Sequence, residues 1–176
     1  MIIMDEKNKV YNALDIARYI INYSIDNSYP VSNLKLQKLL YYVQANFLVN
    51  KNKQCFYQEI LNWDYGPVIM DTYNEFRGYG RDYLPYQKTY GTIEFDGTIE
   101  NIKYYEKEFD ECIIENSDKE LINKVISSYF SYDAFDMVNK THTENPWKLT
   151  NRNECIDIET IKNYYKLNTQ KLIGDF

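Results

Sequence analysis

The chain has 176 residues, 44% of them apolar and 16% aromatic, with a formal charge of −6. That size suits one compact domain with one core, and the acidic balance repels phosphate backbones, so unassisted nucleic-acid binding is not expected. Cys55, Cys112 and Cys155 are odd in number, widely spaced and without a Cys-x-x-Cys pair, which argues against a disulfide framework and a zinc site. With no signal-like apolar run after Met1 and no stretch of eighteen apolar residues, a soluble protein of the reducing cytoplasm is expected. The 19 tyrosines, with many Asn, Lys and Ile, read first as the bias of an AT-rich genome, although tyrosine suits both cores and recognition faces.

From Asn12 to about Ser24, Leu14, Ala17, Ile20, Ile21 and Ile25 recur at three- and four-residue steps and predict a helix with one buried stripe. Asn27-Ser28-Tyr29-Pro30 is turn chemistry, and Ser32 or Asn33 can cap a second helix. There Leu36, Leu39, Leu40, Val43 and Phe47 form the clearest stripe of the chain, with Lys35, Gln37 and Lys38 off it. Cys55 to Trp63 predicts a strand or extended segment ended by Gly66-Pro67. Proline then reads as the first residue of a third helix, with Ile69, Tyr73 and Phe76 inward and Gly78 and Gly80 as the stop.

Arg81 to Gly91 has no period and reads as a loop. Within Thr92 to Ile102, Ile93 and Phe95 alternate and Asp96-Gly97 is a hairpin turn; because a two-residue loop would put Ile99 on the wrong face, a longer, bulged loop is expected. Tyr104 to Cys112 is helical or irregular. Ser117-Asp118-Lys119-Glu120 has the form of a capping box ahead of Leu121, Val125 and Tyr129. After a junction at Tyr132-Asp133, the positions Ala134, Phe135, Val138 and Thr141 predict the buried side of a short helix. A last helix runs from Asp157 with Ile158, Ile161, Tyr165 and Leu172. The sum is a mainly α fold: a single domain over residues 1–176, of about six helices, with a small antiparallel β element from residues near 55–63 and 92–102.

His142 is the sole histidine, so a reaction needing a base at neutral pH would be built around it, with a cysteine as nucleophile. No nucleophile elbow, phosphate-cradling glycine loop or His-x-x-x-His pair accompanies it, so no enzyme, cofactor or metal is expected. His142 is better explained as bonding a terminal carbonyl of its helix while Pro146 stops the chain. Two stretches stand out: Trp63-Asp64-Tyr65-Gly66-Pro67-Val68 and Thr141-His142-Thr143-Glu144-Asn145-Pro146-Trp147. Each sets an indole beside a proline-defined turn, and the two are expected to pack together and present an aromatic patch to a protein partner.

With Leu34-Lys35-Leu36-Gln37-Lys38-Leu39-Leu40-Tyr41-Tyr42, these stretches resemble the Panacea antitoxin-domain family of SocA-like and phage-associated proteins, from about residue 11 to 165. Leu34 to Gln44 resembles the family's Leu-x-Lys-Leu-Leu-Tyr-Tyr-x-Gln core, Tyr65 to Val68 its central turn, and His142 to Trp147 its late turn; Asp64 stands where a basic residue is common. The resemblance implies an antitoxin that binds and neutralises a cognate toxin, in one branch by delivering it to a Clp-type protease; the hydropathy and the acidic balance add that neither a membrane nor a nucleic acid is expected as a partner. Candidate partner-binding residues are Tyr41, Tyr42, Gln44, Trp63, Tyr65, His142 and Trp147, with Gly66, Pro67 and Pro146 as structural bends. The alternative is a phage or prophage accessory protein that binds a host factor in defence or counter-defence.

Overall fold

The computed structural model describes residues 9–94 and 102–174. Mainly α architecture is observed, with seven α-helices among the described residues: α1 (Ala13–Asp26), α2 (Asn33–Asn50), α3 (Met70–Phe76), α4 (Asn116–Ser128), α5 (Ala134–His142), α6 (Asn145–Lys148) and α7 (Ile158–Leu167). Asn12, Ser32 and Asp157 cap α1, α2 and α7 by accepting from amides of the first turn. No described helix is long and apolar enough to cross a membrane.

The β structure differs from expectation. Among the described residues, those near 55–63 and 92–102 do not pair with each other. Each instead pairs with its own neighbour in sequence: β1 (Leu61–Trp63) with β2 (Gly66–Val68), and β3 (Thr89–Glu94) with β4 (Lys103–Glu108), both antiparallel. The second hairpin's last described pair is Glu94 with Lys103; the Asp96-Gly97 turn and the bulged loop expected there lie outside the described residues. Tyr104 to Cys112 is neither helix nor irregular at its start. It is strand to Glu108 and turns 3-10 only at Glu111–Ile113. Every residue of β4 is exposed, so no apolar alternation marked it.

Helix α2 is the axis of the fold, packed against α1, α3, α4, α5, α7 and β2. It is buried continuously from Leu36 to Leu48, so Gln37 and Lys38, off the apolar stripe, are as enclosed as the leucines. A helix surrounded on every side must find partners inside the protein for its polar side chains.

Three local readings are corrected for related reasons. Pro67 does not open α3 but sits in β2, and α3 begins three residues later at Met70. Ser117 does not cap α4: the helix already begins at Asn116, with Glu115 at the capping position. Asp118 is instead a buried carboxylate that accepts from the Tyr11 hydroxyl and pairs with Lys51 and Lys53. The reciprocal capping box belongs to α5, where Asp133 and Asp136 satisfy each other's amides. Phe135 is exposed; Met137, Val138 and Thr141 form the buried side of α5 without it.

Candidate functional site

The three sequence blocks converge on one buried polar seam along α2. Lys38 has no exposed surface and donates to the Pro67 carbonyl at 2.8 Å. That carbonyl is free because the Asn62–Pro67 pair turns its backbone outward: Asn62 donates its amide to Glu154 and accepts from Asn153, rather than bonding across the hairpin. Burial without a counter-ion pushes the Lys38 ammonium down to a pKa of about 7. Gly66 lies against the same lysine. Its φ of +94° disfavours any side chain, and a Cβ there would sit 2.7 Å from Thr141 Oγ1 and 2.8 Å from Lys38 Cε.

One helical turn further along, Tyr42 donates to Glu144 Oε2 at 2.9 Å, Tyr165 donates to the same oxygen at 2.6 Å, and Lys140 binds Oε1 at 2.9 Å. Glu144 is 1% exposed, so three donors replace its lost water. Burial, then the neighbouring carboxylate and rings, hold the Tyr42 and Tyr165 phenols far above their ordinary range. Tyr41, also fully buried, packs edge-on to both rings. Gln44 accepts from the Cys55 and Phe56 amides and donates to the Phe56 carbonyl, while Gln37 accepts from the Ile69 amide and the Thr72 hydroxyl. Tyr41, Tyr42 and Gln44 are thus placed in the interior, where they present no surface.

The two indole-bearing stretches meet. Trp147 donates its indole N–H to the Trp63 carbonyl at 3.0 Å, and Asn62 returns a bond to the Trp147 carbonyl at 2.9 Å. Pro146 is buried in the first turn of α6. His142 stacks on Trp147, with ring centroids 3.9 Å apart and planes 19° from parallel. Its Nε2 is buried without a hydrogen-bond partner. Burial lowers its pKa, Lys38 adds to that, and a hydrogen bond with the Asp64 backbone opposes both. The stack braces the hairpin from the protein side, and no hydrogen bond among the described residues joins His142 to a cysteine.

On the solvent side the hairpin opens onto a pocket of about 320 Å³, with Trp63, Tyr65, Tyr73, Leu34 and Val68 in its walls and Arg77 and Arg152 among its lining residues. Trp63 meets Tyr73 edge-on at 5.0 Å. Tyr65, 60% exposed, meets Phe135, 56% exposed, at 6.2 Å, and Phe135 borders a second hollow of about 520 Å³ with Tyr29, Tyr83 and Arg81. Of the expected contact residues, Trp63 and Tyr65 therefore reach this face; His142 and Trp147 support it. Sequence reasoning missed Phe135, Tyr73 and the arginines. The signal for Phe135 was present, since Met137, Val138 and Thr141 already close the inward stripe of α5.

The three sequence blocks thus build one unit: a helical core threaded by this seam, with the hairpin held between α2 and the 142–147 turn. The sequence matches the family described as "Antitoxin SocA-like, Panacea domain" over residues 36–148, and the chain belongs to that family. It is also similar to antitoxin SocA of Caulobacter vibrioides (strain NA1000 / CB15N), 36% identical over 72 residues, or 39% of this chain and 38% of that protein. The chain therefore matches well under half of that relative's length. No solved structure matches the chain.

Proposed function

We propose that this protein is an antitoxin that binds and neutralises a protein toxin, and that the aromatic face around Trp63, Tyr65, Tyr73 and Phe135 is the gripping surface. The observation that carries the reading is membership of a family described as antitoxin SocA-like, covering 113 of the 176 residues. The exposed Tyr65–Phe135 pair supports the location, because two large rings meeting on the surface serve no buried core and have the composition of binding hot spots. Tyr41, Tyr42 and Gln44 enter as supports of the hairpin that displays the face, and His142 and Trp147 as its brace.

The test is co-expression with the product of the adjacent gene. Rescue of growth is expected, and its loss is expected on Tyr65→Ala with Phe135→Ala in a protein that still folds. Intact rescue by that variant places the gripping surface elsewhere, and a harmless neighbour removes the antitoxin reading. Occlusion of the toxin and delivery to a Clp-type protease separate by abundance: occlusion leaves toxin levels unchanged, whereas delivery lowers them only in the presence of the protease. A host factor as the partner would instead be recovered by the wild-type protein and lost with the same variant.

A further inference from the structure

We infer that the partner segment seated on this face is acidic as well as apolar: a large hydrophobic side chain in the Trp63–Tyr73 pocket with carboxylates beside it. The inference rests on the reading that the face grips a protein and adds the chemistry of what it grips. The chain carries only four arginines against sixteen lysines. One, Arg18, is buried between Asp15 and Glu75 and stacks on Tyr90. The other three, Arg77, Arg81 and Arg152, are all exposed and all line the two adjoining hollows. Arg152 pairs with Asp64 at 2.7 Å; Arg77 and Arg81 form no ion pair with any described residue.

A protein of net charge −6 thus gathers its exposed guanidiniums, two of them uncompensated, around an aromatic pocket. The planar fork of arginine matches a carboxylate in bidentate fashion and is weakly hydrated, which makes it the cation suited to partly desolvated ion pairs at an interface. The acidic groups bordering the two hollows are Asp64, already paired with Arg152, and Asp133, which caps α5, so the uncompensated charge there is positive. The same arginines and rings could stack on nucleic acid, but the acidic remainder of the chain opposes a polyanion, whereas a short acidic peptide feels mainly the local field. A segment with a phenyl, indole or leucyl anchor and one or two flanking carboxylates fills the pocket and pairs the free arginines together.

The experiment is selection of a random dodecapeptide display library against the folded protein. Recovered peptides are expected to combine Phe, Trp or Leu with neighbouring Asp or Glu. Synthetic versions are expected to shift the Trp63 indole resonance and to bind at least about tenfold more weakly to an Arg77→Ala, Arg81→Ala, Arg152→Ala variant of unchanged melting temperature. Peptides without acidic enrichment, an empty selection, equal affinity for the variant, or tighter binding of a labelled single-stranded RNA oligonucleotide would each overturn the inference. Co-expression rescue reads the antitoxin function separately. Rescue with no acidic preference sinks this inference alone, and acidic preference without rescue by any neighbouring gene sinks the antitoxin reading alone.

Discussion

The two sides of the Trp63–Val68 hairpin are built on opposite terms. Toward α2, Gly66 is fitted against Lys38 and Thr141 with no room for an added methyl group, and Lys38 and Thr141 each donate to a carbonyl inside the protein. Toward solvent, Tyr65 and Phe135 touch only edge to edge, and Arg77 and Arg81 form no ion pair among the described residues. The blocks that announce the family lie almost wholly on the first side. A signature of this kind marks what makes the scaffold fold, and the residues able to choose a partner sit beside it, on positions that the fold leaves unconstrained.

The contrast predicts effects that separate cleanly between stability and binding. The largest belongs to Glu144. Replacing it with alanine leaves the buried Tyr42 and Tyr165 phenols without their acceptor and removes the ion pair of half-buried Lys140, so a loss of about 3–5 kcal/mol of unfolding free energy is expected from urea titration. An unshifted midpoint would mean that the seam does not hold the fold. The complementary change is Tyr65→Ala with Phe135→Ala. Here stability should stay within about 0.5 kcal/mol. Toxin affinity measured by calorimetry should fall by roughly 30-fold or more, the effect of losing one binding hot spot. A variant that loses stability but not affinity would reverse the assignment of the two sides.

What could be read from sequence follows the same division. Helices α1, α2 and α7 were legible because capping residues and apolar stripes are local signals. The burial of Gln37, Lys38 and Gln44 was not, because their partners lie on β2, the 55–56 segment and α3, and a periodicity count treats a polar residue as outward. Asp118 misled for the same reason: within a Ser-x-x-Glu pattern it looked like part of a cap, while its role was set by Tyr11, Lys51 and Lys53 far away in sequence. The meeting of Trp63 and Trp147 was legible from shared turn chemistry, but which of their neighbours faced water was decided by the packing of α5.

Lys38 gives a pH-dependent effect that tests how dry the seam is. Its folded pKa, about 7, lies below the ordinary lysine value of 10.5, so between those two values the unfolded chain binds the proton more readily than the native one. Stability from this group therefore rises with pH across that window and is lowest below about pH 7, where the charged ammonium must be buried. Relative to Lys38→Met, the wild type should gain up to about 1.4 kcal/mol per pH unit between pH 7 and 10. Parallel stability curves for the two proteins would show that water reaches the amine.

The smallest predicted change is at His142, and it decides whether the sole histidine belongs to the scaffold. His142→Ala removes a parallel ring stack on Trp147 and a hydrogen bond with the Asp64 backbone, which together should cost about 1–2 kcal/mol, because the Trp147–Trp63 hydrogen bond survives it. The wild-type imidazole has its pKa lowered first by burial, so just below pH 6.5 the unfolded chain takes up the proton first and acid destabilises the native state. The alanine variant should lack that part of the acid sensitivity, read as a smaller drop in melting temperature between pH 7 and 5. A histidine serving chemistry would leave the melting curve unmoved at both pH values; one serving the brace moves it at both, and most at the higher.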